Sequence, residues 1–335
     1  MNFFMTSVRI HNIAILLLLA CIVGACNQQS PTVPSTAVRY ASTAAIVEAP
    51  AHIAFAKDFF KQEGLELELN IYPDGKTSLQ KVVNGDADIG AVMSTPLVYE
   101  SFANKDFIII SNLLHGKVHF AVVSKDSGIT SPKDWIDKKI GVTKGTSGEF
   151  FMDSYFILEG VDHQANEIFY STAQTSLQEL EAGNLDAIFT WLPWPFLALD
   201  KLNGNGQLLE TTKIVPSSWV VIANREFADN HPDVLEQFLR GLQKGIAFTM
   251  EKKEAAYALH TEVTGLSTPI LFTHFLEMDF SLSLSNRLLL DLEQQAAWLV
   301  EKQYVGAQRI PNYLDFIDAT PLANVLPNDV TLITK

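Results

Sequence analysis

Residues Asn84–Pro96 read NGDADIGAVMSTP, and a similar arrangement returns at Gly183–Pro193 as GNLDAIFTWLP. In each stretch a glycine turn leads into a short apolar run. The run stops at a polar or aromatic residue shortly before a proline. A short apolar run bounded by turn signals predicts a buried strand. Repeated local patterns indicate repeated units of a fold. The two stretches therefore predict the same strand-to-helix element in two similar lobes.

The chain around these stretches alternates predicted strands with predicted helices. The run VRYAS at 38–42 and the period-two run LELELNI at 65–71 are predicted strands, and an amphipathic helix over 50–64 separates them. Later in the chain, GTSGEFFMDSYFILEG at 145–160 is a predicted helix that its final glycine closes. This alternation predicts an α/β fold with mainly parallel sheets.

The predicted elements divide into two lobes. Residues 124–221 carry their own strand–helix unit and form the predicted lobe 2, whereas 37–123 and 222–335 form lobe 1. The segment after Pro232 is almost entirely helical and has no sheet of its own, so we expect it to pack on lobe 1. Open parallel sheets bind ligands at the carboxyl ends of their strands. A ligand cleft between the lobes is therefore predicted, with both quoted stretches ending at it.

The N-terminus has the pattern of an export signal. Ile13–Val23 is an unbroken apolar run, and small residues follow it up to Cys26. The run has the length of a signal-peptide core and is short for a membrane span. The small residues that lead to Cys26 resemble a bacterial lipobox. This resemblance predicts a signal peptide over 1–25, a lipid-modified Cys26 and a flexible tether over 26–36. A single-pass membrane anchor and a plain signal peptide are the alternatives.

The composition argues against several classes of function. The 335 residues include 24 Lys and Arg against 38 Asp and Glu, which gives a formal net charge of −14. Such an acidic chain is poorly suited to nucleic acid or to a basic membrane-binding face. Of the two cysteines, Cys21 lies within the predicted signal peptide and Cys26 directly after it. The rest of the chain has no thiol for a disulfide or for catalysis. No cofactor and no metal site are predicted.

Five segments carry a family resemblance. In order they are EAPAHIAFAKDFFKQEGLELEL, NGDADIGAVMSTP, GTSGEFFM, GNLDAIFTWLPW and NREFADNHPDVLEQFL. Their order and spacing resemble the substrate-binding proteins of ABC importers for nitrate, sulfonates and taurine, a family that also includes thiamine-pyrimidine binders. The resemblance spans about 37–330. It implies a type II periplasmic-binding-protein fold, with two α/β lobes, two crossover strands and a ligand enclosed by hinge closure. It implies no catalysis.

Two predicted helix starts are suited to holding an anion. Thr95 is the predicted N-cap of one helix, with Ser94 beside it and a proline after it. Thr146, Ser147 and Gly148 open the helix of the other lobe. The N–H groups and the dipole of a helix start favour negative charge. Paired across a cleft, the two starts predict an oxyanion site of neutral donors. Helix capping alone is the alternative interpretation of each hydroxyl.

Aromatic and histidine side chains complete the expected site. The resemblance implies that Trp191 packs on the apolar part of a ligand, and Trp219, at the second crossover, is expected to reach the cleft. Trp194 is interpreted as a core residue. His119 is expected to contact the ligand. The spacing of His115 and His119 is compatible with a metal site, but the sequence pattern offers no third ligand.

Glu48 is the residue with the most specific expected role. It lies after the first predicted strand, where a carboxylate facing the cleft would bind a ligand ammonium group such as that of taurine. An ordinary surface glutamate is the alternative. Glu149 offers a second acid, although acids are common in a first helical turn. The resemblance implies an acid near the crossover in aminosulfonate binders, whereas this chain has Trp219. His52 is expected on a helix surface.

These features predict an exported, membrane-tethered solute-binding lipoprotein of an ABC importer, anchored through Cys26. Its body is expected in the periplasm or on the outer face of the membrane. As a monomer it would capture a small anionic or zwitterionic organic solute, such as a sulfonate or taurine, and deliver it to a permease with its ATPase. A thiamine-precursor pyrimidine, an aromatic acid and nitrate are alternative ligands. An enzyme on the same fold and a sensory partner of a receptor are alternative functions.

Overall fold

The computed structural model describes residues 36–209, 217–306 and 309–333, except the side chains of His115 and Ile270. The predicted signal peptide, Cys26 and all but the last residue of the predicted tether lie outside these ranges. Within them, no helix has both the length and the apolar character that a membrane crossing requires.

The first sheet has the strand order β2-β1-β3-β10-β4. Its strands are β1 (Thr36–Thr43), β2 (Leu65–Tyr72), β3 (Ile89–Met93), β4 (Phe107–Gly116) and β10 (Ser217–Asn224). Strand β1 pairs in parallel with β2 and β3, whereas β10 pairs antiparallel with β3 and β4. The carboxyl ends of β1, β3 and β4 therefore lie at the same edge of the sheet as the beginning of β10.

The second sheet repeats this arrangement in the order β7-β6-β8-β5-β9. Its strands are β5 (His119–Ser124), β6 (Lys139–Val142), β7 (Glu167–Tyr170), β8 (Ala187–Trp191) and β9 (Gly206–Leu209). The reversed strand is now β5, which pairs antiparallel with β8 and β9. Strands β3 and β8, which belong to the two quoted stretches, occupy the same position in their sheets. The two sequence stretches are therefore equivalent elements of two similar sheets.

The equivalence extends to the hydrogen bonds where these two strands begin. Asp88 Oδ2 accepts from the N–H of Arg39 at 2.8 Å, and Asp186 Oδ2 accepts from the N–H of Lys139 at 2.8 Å. The N–H groups of the two aspartates donate in return to the carbonyls of Arg39 and Lys139. In both stretches a glycine with positive φ precedes the aspartate, a conformation that glycine adopts without steric cost.

Helices cover both sheets. In chain order they are α1 (Ala49–Ala56), α2 (Phe59–Gln62), α3 (Gly75–Val83), α4 (Ser94–Ser101), α5 (Ser147–Glu159), α6 (Ala173–Glu181), α7 (Trp194–Lys201), α8 (Arg225–Asn230), α9 (Pro232–Glu251), α10 (Lys253–Thr264), α11 (Pro269–Glu277), α12 (Asn286–Glu301) and α13 (Thr320–Val325). Helices α5, α6 and α7 contact the second sheet, whereas α9, α12 and α13 contact strands of the first. We call the first sheet with its helices the first half, and the second sheet with α5–α7 the second half.

The positions at which the chain passes from one sheet to the other differ from the predicted lobe boundaries. Strand β5 pairs within the second sheet, although the predicted lobe 1 extends to residue 123. Strand β10 pairs within the first sheet, although the predicted lobe 2 extends to residue 221. Local patterns identify a strand, but its partners are set by pairing between distant residues, which a single sequence does not reveal. The extent of the lobes as separate bodies stays a prediction.

Helix α9 approaches α1 most closely at Gly245. A β-carbon at this position would lie 2.2 Å from the carbonyl oxygen of Pro50 and 2.9 Å from Cβ of Ala54. In an open helix, Gly→Ala stabilises by up to about 1 kcal/mol. We expect the clash to dominate here, so Gly245→Ala should lower the free energy of unfolding by about 1–3 kcal/mol in urea titrations. Gly306→Ala is the control, because no atom lies within 4 Å of its added Cβ. Equal stability of Gly245→Ala and wild type would contradict this packing.

Candidate functional site

The carboxyl edges of the two sheets meet where β4 leads into β5. Only residues 117–118 separate the two strands. His119, the first residue of β5, pairs with Trp191 at the end of β8. Its Nδ1 lies 3.2 Å from the hydroxyl of Ser217, the first residue of β10. The first residues of the two reversed strands are thus in direct contact, which brings the two carboxyl edges together.

The start of α5 lies on the ring of Trp191. A β-carbon at Gly148 would stand 3.3 Å from this ring and 3.2 Å from the carbonyl oxygen of Phe189, so the absence of a side chain allows the close approach. Helix α5 begins where predicted, with Thr146 as its N-cap. The Thr146 hydroxyl donates to the carbonyl of Thr143 at 2.6 Å and makes no cap hydrogen bond to the helix. The main-chain N–H groups of the first turn of α5 are therefore not capped by this side chain.

The start of α4 differs from the sequence prediction. Helix α4 begins at Ser94 with Met93 as its N-cap, so the prediction of Thr95 as the N-cap is wrong. Ser94 and Thr95 are fully buried, and both hydroxyls bond to the side-chain amide of Gln295 on α12. This contact joins residues far apart in the chain, and it gives both hydroxyls a partner that a local capping rule does not include.

Two buried nitrogen atoms at this junction have no hydrogen-bond partner within the described structure, namely Nε2 of His119 and Nε1 of Trp219. Trp219 pairs with Met93, directly before Ser94, and lies two residues from Ser217 along β10. Burial lowers the pKa of His119 to about 3, so its ring is neutral at neutral pH. An unpartnered buried polar atom costs roughly 1–3 kcal/mol, and such atoms in native structures often mark a functional position.

The structure gathers the predicted ligand-binding residues around this junction, with Glu48 as the exception. The gathered residues are Ser94, Thr95, His119, Thr146, Ser147, Gly148, Trp191 and Trp219. Trp194, the first residue of α7, is half-buried and packs against a hydrophobic cluster of the second half, as interpreted from the sequence. Among the described side chains, no group of three or more His, Cys, Asp or Glu is placed to hold a metal. The assignment of the gathered residues to a ligand stays a prediction.

A cavity of about 380 Å³ lies beside the two helix starts. Residues of both halves line it, among them Lys76 and Pro96 of the first half and Lys144 and Gly145 of the second. Pro96 follows Thr95 in α4, and Gly145 directly precedes the N-cap of α5. The cavity therefore opens next to the predicted site, and two lysines stand at it in an otherwise acidic chain.

Glu48 is fully buried after β1, so the alternative of an ordinary surface glutamate is wrong, whereas its contact with a ligand amine stays a prediction. Its side chain is fully buried, and Oε2 accepts from the hydroxyl of Tyr40 at 2.7 Å. Tyr40 lies on β1 and packs on Phe238 of α9, with ring centroids 5.4 Å apart. Burial raises the pKa of Glu48 to about 8, although its hydrogen bond with Tyr40 lowers it. The other oxygen of Glu48, Oε1, is buried and has no hydrogen-bond partner in the described structure.

A buried polar network continues from this side of β1. His52 Nε2 lies 2.9 Å from the hydroxyl of Ser42, and His52 Nδ1 lies 2.9 Å from Nδ1 of His260. All three residues are fully buried, so the expectation of His52 on a helix surface is wrong. Polar helix positions are usually exposed, but α10 packs its own histidine against this one.

The raised pKa of Glu48 predicts a loss of stability as the pH rises. Between the ordinary value of 4.5 and about 8, folded Glu48 keeps a proton that the unfolded chain has released. Its contribution is complete below pH 4.5 and is lost as the pH rises through about 8. Glu48→Gln removes this dependence, so its stability relative to wild type should rise by a few kcal/mol between about pH 5 and about pH 8.5 in urea titrations. Glu66→Gln at an exposed position is the control, and parallel curves for Glu48→Gln and wild type would refute the prediction.

Glu149 connects the loop before α5 to both halves. Its Oε2 accepts from the N–H of Gly145 at 2.6 Å. Its Oε1 accepts from the hydroxyls of Tyr304 at 2.5 Å and Tyr170 at 3.0 Å. Tyr170 ends β7 in the second half, whereas Tyr304 follows α12 of the first half. The carboxylate is fully buried, and protein donors occupy both of its oxygens. Glu149 therefore stabilises the contact between the two halves and is not available to bind a ligand amine.

Asp153 lies one turn farther along α5 and faces α12. Its Oδ2 accepts from Nε1 of Trp298 at 2.8 Å and forms an ion pair with Lys302 at 2.8 Å. Burial raises the pKa of Asp153, but contacts with His163, Lys302 and Trp298 outweigh this and hold it below its usual range. This ion pair is a second polar connection between the halves.

The ion pair predicts a pH-dependent cost for Lys302→Met. The variant leaves the buried Asp153 carboxylate without its cation, and we expect a loss of about 1–3 kcal/mol in the free energy of unfolding near pH 7. Because the folded pKa of Asp153 is lowered, its ionised form contributes stability at neutral pH that is lost as the pH falls through this pKa. Urea titrations of variant and wild type should therefore converge in acid. Lys133→Met at an exposed position is the control, and a cost independent of pH would contradict the assignment.

Comparison with known proteins assigns the chain to a family. The model of the NMT1/THI5-like family matches residues 46–256. The protein belongs to this family. The matched range contains every residue gathered at the junction, together with Glu48. It ends before α12, which carries Gln295, Trp298 and the polar contacts to α5.

Curated relatives in this family include binding proteins and enzymes. A Bacillus subtilis protein named for aliphatic sulfonate binding is 26% identical over 220 residues, which cover 64% of this chain and 65% of the relative. The taurine-binding periplasmic protein of Escherichia coli is 24% identical over 200 residues, 57% and 60% of the two chains. A 4-amino-5-hydroxymethyl-2-methylpyrimidine phosphate synthase of Legionella pneumophila is 25% identical over 250 residues, 71% and 77% of the two chains. The match covers less than two thirds of the length of the first two relatives.

Solved structures confirm the fold class predicted from the sequence. The periplasmic aliphatic sulphonate binding protein of Escherichia coli superposes with a TM-score of 0.72 at 19% identity. The superposition covers 84% of this chain and 99% of that protein. The two mixed sheets with their helices therefore form the fold of a periplasmic binding protein.

Proposed function

We propose that the protein is the extracytoplasmic solute-binding component of an ABC importer. It captures a small organic anion or zwitterion of the sulfonate class and delivers it to a membrane permease with its ATPase. The observation that carries this proposal is the junction of the two sheets. Two helix starts, one from each half, lie there beside two buried nitrogen atoms without partners in the described structure, Nε2 of His119 and Nε1 of Trp219.

The donors at the junction match a permanently ionised oxyanion. The first-turn N–H groups of α5 and its dipole favour a negative group, and Trp219 adds a neutral N–H donor. A sulfonate accepts several hydrogen bonds without a proton transfer. The rings of Trp191 and Trp219 supply apolar surface for the organic part of such a ligand, which bare nitrate lacks.

The buried acids favour a simple alkanesulfonate over an aminosulfonate. A ligand ammonium group requires a free carboxylate near the site. Both oxygens of Glu149 are occupied by protein donors. Glu48 keeps one oxygen, Oε1, without a partner in the described structure, but burial raises its pKa to about 8, so the carboxyl group is neutral at neutral pH. A ligand amine would have to ionise this buried group, so taurine is the weaker candidate within the sulfonate class.

The second candidate function is binding or synthesis of a thiamine-precursor pyrimidine. It is favoured by the similarity to the pyrimidine phosphate synthase of Legionella pneumophila, which extends over 71% of this chain. The two cysteines of the sequence both fall at the predicted signal peptide, which leaves the body without a catalytic thiol. Pyrimidine product formed by the purified protein would establish this alternative.

Export and anchoring are part of the proposal. The apolar run at 13–23 and Cys26 support a lipoprotein that is tethered through 26–36 to the cell membrane. Lobe 1 (37–123 and 222–335) and lobe 2 (124–221) would then close on the solute as two bodies. The acidic net charge of −14 supports a body that acts without nucleic acid. It acts as a monomer.

Replacement of Trp219 should change the melting temperature and the ligand affinity in opposite directions. Trp219→Phe removes a buried N–H without a partner, so we expect a higher melting temperature of the unliganded protein. The same change removes a ligand contact and should weaken ethanesulfonate binding about tenfold, equivalent to one hydrogen bond of about 1.4 kcal/mol. Thermal-shift titrations with ethanesulfonate, taurine, nitrate and hydroxymethylpyrimidine measure both effects, because a specific ligand raises the melting temperature by mass action.

Trp194→Phe is the matched control, since Trp194 packs on a separate apolar cluster of the second half, which includes Val122 and Ile188. It should leave ligand affinity unchanged. A wild-type protein whose melting temperature responds to none of the sulfonates would refute the proposed function. A response to hydroxymethylpyrimidine alone would establish the second candidate.

A further inference from the structure

Gln295 makes two hydrogen bonds to the start of α4. Its side chain is 1% exposed and lies on α12. Its Nε2 donates to the hydroxyl oxygen of Ser94 at 2.9 Å, and its Oε1 accepts from the hydroxyl of Thr95 at 2.7 Å. Ser94 and Thr95 are fully buried, so neither hydroxyl exchanges these bonds for water. One amide therefore holds both hydroxyl residues of this helix start.

The amide oxygen and the amide nitrogen give the two hydroxyls opposite hydrogen-bond polarity: one hydroxyl is the donor and the other is the acceptor. Thr95 donates its only hydroxyl proton to Oε1 of Gln295, so it has lone pairs but no proton for another group. Ser94 accepts from Nε2 and keeps its own proton. In the described part of the chain, no acceptor bonds the Ser94 proton. Ser94 is thus a free donor beside Trp219, whereas Thr95 is not a donor.

Contacts on both sides of Gln295 hold α12 in position. Asp291, one turn earlier, accepts from the hydroxyl of Ser218 on β10 at 2.9 Å. Trp298, three residues later, donates to Asp153 of α5 at 2.8 Å. These residues share one face of the helix, because positions three and four apart lie on the same side. Gln295 is therefore fixed relative to the crossover strand and to the second half, and so is the orientation of the hydroxyls that it binds.

We propose that Gln295 is a specificity-determining positioning residue of the solute site. By fixing the polarity of the Ser94–Thr95 pair, it makes Ser94 a hydrogen-bond donor and selects a ligand that presents an acceptor, such as an oxyanion, at the start of α4. The amide is also neutral, so it adds no charge that would repel an anion. This inference rests on the proposed function and deepens it.

The substitution Gln295→Glu tests the inference, because the two protonation states of the introduced carboxyl group predict opposite results. The ionised carboxylate would accept from both hydroxyls, engage the Ser94 proton and add a negative charge. The protonated carboxyl has one donor and one acceptor, as the amide has, and restores the original polarity. Burial raises the pKa of such a carboxyl group, as it does for Glu48, so the ionised state requires alkaline pH. Gln295→Glu should therefore weaken ethanesulfonate binding at least about tenfold near pH 9, and most of the affinity should return near pH 5.

The matched control is Gln294→Glu, an exposed neighbour on the same helix that carries the same charge change. It should keep wild-type affinity at both pH values. Asp291 on α12, Glu100 on α4 and Tyr313 are titratable groups on the elements packed against Gln295. The wild-type protein, measured over the same pH series, reports their contribution and should bind almost equally at both values.

A second pair of variants tests the polarity without a new charge. Ser94→Ala removes the free donor and should weaken ethanesulfonate binding about tenfold in calorimetric titrations. Thr95→Val removes a hydroxyl whose proton is already bonded to Gln295, so it should weaken binding less than Ser94→Ala does, even where the melting temperature falls. This pair decides the question if Gln295→Glu does not fold.

The outcomes separate the inference from the proposed function. Wild-type binding of ethanesulfonate with unchanged affinity in Gln295→Glu overturns the inference alone. A loss in Gln295→Glu that persists near pH 5 also overturns it, since a purely structural role does not depend on this protonation. A larger effect of Thr95→Val than of Ser94→Ala reverses the assigned polarity and overturns it as well. Wild-type protein that binds none of the sulfonates refutes the proposed function, and the inference with it.

Discussion

The contact between His119 and Ser217 is the constraint on which the functional arrangement depends. Each residue begins the reversed strand of one sheet, and a hydrogen-bonding distance of 3.2 Å joins them. Because a reversed strand begins where its parallel neighbours end, this contact brings together the carboxyl edges of both sheets. The helices that follow β3 and β6 therefore start beside the same junction. Trp191 and Trp219 lie at the same place through their strand pairing.

Around this junction the protein uses its charged groups to hold the halves together and leaves neutral donors unpartnered. Glu149 and Asp153 are bonded by tyrosine, tryptophan and lysine side chains of both halves. Nε2 of His119 and Nε1 of Trp219 remain without partners in the described structure. A site built in this way recognises an anion by geometry and by aligned dipoles, and it avoids the desolvation of a buried cation.

Sequence reasoning identifies most of the elements and several residues of the candidate site. The glycine turns, the apolar runs and the cap at Thr146 are local patterns, and the structure contains each of them. The predictions for His52 and Thr95 are wrong for one reason, which is that each residue has a partner that local patterns do not reveal. Gln295 escapes sequence reasoning because a single glutamine on an amphipathic helix has no local signal. Its position on the buried face of α12, one turn after Asp291, is the only pattern that points to it.

The sequence by itself determined the alternation of strands and helices, the repetition of one unit in two halves, and the helix starts rich in small and hydroxyl residues. These properties follow from periodicity and turn chemistry within a few residues. Only the tertiary structure decided which sheet β5 and β10 join, which acids are buried and neutralised, and which hydroxyl keeps a free proton. Those properties depend on side chains brought together from distant parts of the chain, because hydrogen bonding and burial act over a few ångströms in space and not along the sequence.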